Sequence, residues 1–193
     1  MDNRYDILQL LRRVADGSAT PEEALSQLKR APFEDLGYAK VDLHRGVRQG
    51  AAEVIYGAGK TPEQIAGIAA AMGERGCQNI LIPRLSPESA KLVAETIPLD
   101  YHPVPRVAIA YPGERRELGH IVVATGGTSD LPVAEEAALT AQVLGNRVTR
   151  LYDVGVAGLH RLLANLEPLM SARCIVAVAG MEGALASVIG GLV

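Results

Sequence analysis

Residues 121–136 read IVVATGGTSDLPVAEE, and the rest of the chain is organised around them. Ile121, Val122, Val123 and Ala124 form a short apolar run that predicts a buried strand. A small-residue loop follows: Thr125, Gly126, Gly127, Thr128, Ser129 and Asp130. Pro132 sits where a helix can start, because a first-turn residue needs no N–H. Apolar residues then recur at helical spacing through Val133, Ala137, Ala141 and Leu144. Strand, glycine loop and helix together favour an anion, since unpaired N–H groups and the positive end of the helix dipole converge there. The plainer alternative is a strand-to-helix turn capped by Asp130.

Outward from this stretch, the 193 residues are 48% hydrophobic and 21% charged, with no Trp and one Phe, Phe33. A core of Ala, Val, Leu and Ile suits helices packed on parallel strands. A net charge of −3 lacks the basic excess of a nucleic-acid surface. Two cysteines, Cys77 and Cys174, make neither a disulfide framework nor a metal cluster. The charged N-terminus, MDNRYDILQLLRR, does not read as a signal peptide, so a reduced cytoplasm is expected. Ile175–Val193 is nineteen residues long with one charge, but a central Glu182 costs roughly 2.5–3.5 kcal/mol in a bilayer. A buried strand, a glycine loop and a helix fit it better, and no membrane partner is expected.

Upstream, Tyr5–Val14 predicts a helix that Asp16-Gly17-Ser18 ends. Thr20-Pro21-Glu22-Glu23 starts a second one, with Thr20 and Glu23 as a capping box. Residues 1–36 are therefore expected to form a helical hairpin. Residues 37–113 alternate short apolar runs with helices, the pattern of a small α/β domain. Its expected strands are Tyr38–Leu43, Val54–Tyr56, Asn79–Pro83 and Arg106–Tyr111, with helices Pro62–Glu74 and Pro87–Thr96. Gly57-Ala58-Gly59-Lys60-Thr61 is no P-loop, because the first glycine position is Val54, and Thr61 with Gln64 reads as a helix cap. His44, Arg45 and Arg48 are a small basic cluster, either a solvated loop or an anion clamp.

Downstream, a polar linker leads into residues 119–193, a parallel-sheet, three-layer domain of flavodoxin-like or Rossmann-like kind. Arg147–Tyr152 and Cys174–Ala179 are its further strands, with Cys174 a small buried residue. Leu159, Leu162, Leu163 and Leu166 mark one helix between them. Three parallel strands place three loops on one edge, where such sheets bind ligands. Ser129, Asp130, Asp153 and Glu182 would then share a crevice. Glu182 is an acid/base candidate if buried, and an exposed helix-capping carboxylate otherwise.

Several segments carry a family resemblance. Thr125–Ala137 resembles the Gly-Ser-x-Ser-Asp-x-Pro loop of the purine-pathway aminoimidazole ribonucleotide carboxylase/mutase. GTSDLPVAEEAALTA (127–141), YDVGVAGLHRLL (152–163), AGMEGALASVIGGLV (179–193), VDLHR (41–45), Arg48 with Gly50 and Glu53, and VIYGAGKTPEQI (54–65) resemble LarB more closely. LarB is the carboxylase/hydrolase of nickel-pincer cofactor synthesis, the cofactor of lactate racemase. Departures are Ala51-Ala52 in place of an aromatic-Pro pair, and Ala186 in place of Pro. The family also continues for dozens of residues past Val193, to a catalytic cysteine that neither Cys77 nor Cys174 matches. The expectation is a chain incomplete at its C-terminus and inactive without that thiol.

The resemblance implies carboxylation of the pyridinium ring of nicotinic acid adenine dinucleotide. Hydrolysis of the phosphoanhydride would give AMP and a pyridinium-3,5-biscarboxylate mononucleotide. It assigns Gly127, Thr128, Ser129 and Asp130 to ribose and phosphate. Glu182, with Asp130, takes the catalytic role. Asp42, His44, Arg45, Arg48 and Lys60 go to ligand anions. Carbon dioxide or bicarbonate is the second substrate, and the chain is expected to form a homo-oligomer. No tightly bound cofactor is implied, with a magnesium ion left open. Two other functions stand beside this one: an aminoimidazole ribonucleotide carboxylase/mutase, and a non-catalytic nucleotide-binding or assembly protein.

Overall fold

The structure is a computed structural model that describes residues 3–28, 33–42, 45 and 53–193. Compact packing divides the chain into two units. One is Met1–Asp100 with Ile109–Gly113, and the other is Tyr101–Ala108 with Glu114–Val193. Helices and strands alternate in the α/β manner that the sequence predicts.

The first unit opens with α1 (Asn3–Ala15) and α2 (Pro21–Leu28). The capping box that starts α2 is present: Glu23 N–H donates to Thr20 Oγ1 at 3.1 Å, and Thr20 N–H donates to Glu23 Oε2 at 2.9 Å. A two-stranded hairpin, β1 (Phe33–Asp35) against β2 (Lys40–Asp42), follows. The sequence reading missed β1, a three-residue strand with no apolar alternation to announce it. Val54–Tyr56 is not a strand element. It lies alongside β3 (Ile80–Ile82), with Ile55 N–H on Leu81 O and Gly57 N–H on Pro83 O. Helix α3 (Pro62–Glu74) starts at Thr61, whose capping box with Gln64 is complete. Then come α4 (Pro87–Ala94), β4 (Leu99–His102) and β5 (Val107–Ala110), and the sheet order is β3-β5-β4.

The second unit is built on β6 (His120–Thr125), whose residues Val122 to Thr125 have no solvent exposure. It lies between β7 (Arg147–Leu151) and β8 (Cys174–Val178), and both pairings are parallel. Side chains alternate across the sheet. Val123 packs with Ala134 and Ala138 of α5 (Leu131–Val143) on one face. Val122 and Ala124 pack on the other face with Leu162, Leu169, Leu185 and Ile189. These belong to α6 (Leu159–Leu163), α7 (Leu166–Ser171) and α8 (Ala184–Leu192). The result is a three-layer sandwich of helix, parallel sheet and helix.

Two expectations for this unit need correction. The leucines from Leu159 to Leu166 span two helices, not one. Pro168 lacks an N–H, and in a continuous helix its ring would meet the Ala164 carbonyl, so the chain breaks at Ala164-Asn165. Cys174 is exposed rather than buried. It begins β8, which pairs with β6 on one side only among the described residues. The run Ile175–Val193 folds as strand, loop and helix, and no helix of the described residues is long and apolar enough to cross a membrane.

Candidate functional site

Because β6, β7 and β8 are parallel, their carboxyl ends share one edge. The chain leaves β6 toward β7 through α5, then returns past β6 to β8 through helices on the opposite face. The connections therefore diverge between β6 and β8, the topological switch point at which open α/β sheets bind ligands. The loop after β6, Gly126 to Asp130, borders that crevice, and Gly180 to Gly183 borders its other side.

The β6 loop is tied down on three sides. Gly126 N–H donates to Val178 O of β8 at 3.0 Å. Gly127 N–H donates to Asp130 Oδ2 at 2.9 Å. Thr125, fully buried, accepts Asp153 N–H on Oγ1 at 2.9 Å and Val154 N–H on its carbonyl at 2.9 Å. These last bonds draw the loop after β7 across the end of β6. Gly155 lies so close there that a Cβ would press into the Gly126 carbonyl. Val156–Gly158 then packs against α8. All three loops meet above the end of β6.

Gly127 stands apart from its neighbours. Its φ of −149° is extended backbone open to any residue, and a Cβ there would meet nothing within 4 Å. The fold gives no reason for glycine at this position. The absence of a side chain leaves the loop backbone here open to close approach. Thr128–Asp130 forms one turn of 3-10 helix leading directly into α5, so the amino ends of both point out of the same loop.

Of the residues singled out in the sequence, Gly127, Thr128, Ser129 and Asp130 lie together on this loop, with Thr128 and Ser129 exposed. Asp130 also shapes the loop as an internal cap. Glu182 is exposed, in a turn closed by Gly183 N–H on Gly180 O at 3.1 Å, so it lacks the burial that the acid/base reading required. Asp153 is turned to Arg161, whose Nη1 lies 2.6 Å from Asp153 Oδ2. In the first unit, Arg45 Nη1 donates to Glu53 Oε1 at 3.1 Å, and Lys60 Nζ to Tyr56 O at 3.1 Å. Asp42 ends β2 and is half-buried. His44 and Arg48 lie outside the described residues. No three His, Cys, Asp or Glu side chains among the described residues converge as a metal-binding group.

Sequence reasoning passed over Arg161 and a half-buried network beside the sheet. Arg150 of β7 forks onto Glu135 of α5, with Nε 3.1 Å from Oε1 and Nη2 3.1 Å from Oε2. Tyr152 Oη donates to Glu135 Oε1 at 2.7 Å. Burial alone would raise the Glu135 carboxyl. The bonds from Arg150 and Tyr152 and the nearby charges of Arg150 and His102 outweigh it and hold the group below the usual glutamate range. Burial and the bond to Glu135 push the Tyr152 hydroxyl well above the usual tyrosine range. Glu135 and Gln142 stand seven residues apart on α5, two turns along one face, and Arg150 Nη2 also donates to Gln142 Oε1 at 3.2 Å.

A family model described as the LarB/PurE-like N-terminal domain matches residues 33–112, which sets the chain among carboxylase/mutase-like enzymes. An uncharacterized protein of Methanocaldococcus jannaschii is 33% identical over 198 residues, covering 97% of this chain and 77% of that protein. The chain belongs to the LarB family.

Proposed function

We propose that this chain binds the substrate of a pyridinium-ring carboxylase/hydrolase, nicotinic acid adenine dinucleotide, at the β6 loop. The reaction takes up carbon dioxide and water and releases AMP and the biscarboxylate mononucleotide used for a nickel-pincer cofactor. The observation that carries the reading is Gly127, a glycine that the backbone does not require, at a helix-start loop suited to phosphate.

The ring chemistry needs a nucleophile. Carbon 5 of a pyridinium will not attack carbon dioxide. A thiolate added at carbon 4 turns the ring into an enamine-like dihydropyridine, whose carbon 5 then attacks. A base removes the carbon 5 proton, the thiolate leaves and aromaticity returns. The chain's own cysteines are poorly suited to that step. Burial pushes the Cys77 thiol up, which leaves little thiolate. Cys174 pairs with Ile121, four residues short of the Thr125–Val178 pair at the loop edge, about 13 Å away at the rise of a strand. These 193 residues are therefore assigned binding and positioning, and neither Cys77 nor Cys174 is assigned the thiol step. Glu182 borders the crevice but is exposed, so proton handling by it would need a bound ligand to cover it.

Calorimetry tests the binding half. AMP and nicotinic acid adenine dinucleotide should both bind, and Gly127→Ala should abolish binding at an unchanged melting temperature. Binding of an aminoimidazole ribonucleotide in their place would favour the purine-type carboxylase/mutase.

A further inference from the structure

Among the described residues, Arg161 is a cation that the structure brings onto the β7 loop. Its Nη1 rests on Asp153 Oδ2 at 2.6 Å, and a Cβ at Gly158 would meet its Nε at 2.7 Å, so the guanidinium lies close against Asp153 and Gly158. That loop is fixed to the end of β6 through Asp153 N–H on Thr125 Oγ1 and through the Gly155–Gly126 contact. The guanidinium is thus held on the β7 loop, which is itself fixed to the end of β6. Its bond to Asp153 uses one nitrogen of a fork built to hold a carboxylate with two. The pair is also half open to water, with side-chain exposures of 39% and 52%, so little holds it against a competing carboxylate. Asp153 stands in the left-handed region at φ 58°, with its side chain turned to Arg161 by its bonded backbone.

We propose that Arg161 selects a carboxylate-bearing ligand, and that Asp153 occupies it until that carboxylate arrives. The inference rests on the dinucleotide reading above and names what that site distinguishes. The ring carboxylate of the nicotinic acid dinucleotide displaces Asp153 and takes both arms of the fork. The ring carboxamide of the nicotinamide dinucleotide carries no charge and does not.

The test is calorimetry with AMP, nicotinic acid adenine dinucleotide and nicotinamide adenine dinucleotide. Wild type, Arg161→Met, Arg161→Lys and Asp153→Asn are compared at matched thermal stability. Wild type should prefer the acid dinucleotide over the amide by about tenfold, the worth of one charge-assisted pair. Arg161→Met should erase that preference and leave AMP and the amide unchanged. Arg161→Lys, which keeps the charge and loses the fork, should retain part of it. Asp153→Asn should tighten the acid dinucleotide alone, because its competitor is gone. Equal weakening of all three ligands in Arg161→Met, or no tightening in Asp153→Asn, would make the pair a loop pin and overturn the inference. A wild type that binds none of the three would sink the dinucleotide reading, and this inference with it.

Discussion

Gly127 N–H donates to Asp130 Oδ2 at 2.9 Å, so the carboxylate closes its own loop from within. Removing it leaves Gly127 N–H without that acceptor. Asp130→Ala should cost about 1 kcal/mol of stability, as the loss of a capping carboxylate does. It should also weaken AMP binding, with Asp130→Asn intermediate. Thermal melts and calorimetry on the same samples check this. Unchanged AMP binding in Asp130→Ala would remove the residue from the site.

Two glycines a few residues apart in space should fail in opposite ways. Gly155→Ala drives a methyl into the Gly126 carbonyl, backbone against backbone, and should destabilise the unit by about 1–3 kcal/mol. Gly127→Ala meets open space and should leave the melting temperature alone while blocking the ligand. Equal stability losses in the two variants would contradict the assignment of Gly127 to ligand contact.

The Glu135 network predicts two pH limits. The folded state holds Glu135 below the usual glutamate value, so its contribution is complete above that value. It is lost as pH falls through the lowered one. Tyr152 is raised, so its contribution is complete below the usual tyrosine value of about 10 and is lost as pH rises beyond it. Chemical denaturation across pH should show Glu135→Gln flattening the acid limb and Tyr152→Phe the alkaline one. An acid limb unchanged in Glu135→Gln would assign it to other carboxylates.

Mass spectrometry of the dinucleotide incubated with bicarbonate and these 193 residues should show no biscarboxylate product. Product that persists after Cys77→Ser and Cys174→Ser would end the covalent-thiol account of the reaction.

Association should be visible in solution. A groove of about 540 Å³ runs along β8, lined by residues including Met170, Cys174, Ala177, Ile189 and Val193, and it lies away from the glycine loops. A strand edge with no partner among the described residues, beside apolar surface, is an invitation to a second copy. Light scattering at micromolar concentration should report more than a monomer, and a monomer alone would count against it.

The sequence signals that proved readable were local ones. Val122 to Ala124 announced a central strand by unbroken burial. Thr20 with Glu23 and Thr61 with Gln64 announced helix starts, because a capping box is made of near neighbours. The parallel direction of β6, β7 and β8 followed from strand–helix alternation, and their order in the sheet did not. What stayed hidden depends on which distant groups meet. The leucines around Arg161 gave no hint that Asp153 turns back toward it. Thr125 looked like a loop residue until its hydroxyl was found fully buried beneath Asp153 N–H. The exposure of Cys174 depends on β8 lying at an edge, which strand composition does not reveal.

The bond from Gly126 N–H to Val178 O has a consequence for the order of folding. Residues 126–130 are made first, but their anchor is made some fifty positions later, after β7 and the three helices α5, α6 and α7. Parallel strands pair only once such crossovers have closed, which is slow because contacts of long sequence separation must form first. On a growing chain the glycine loop therefore exists as sequence well before it exists as a shape. A substitution within β8 can delay or distort the loop without touching any residue that meets a ligand.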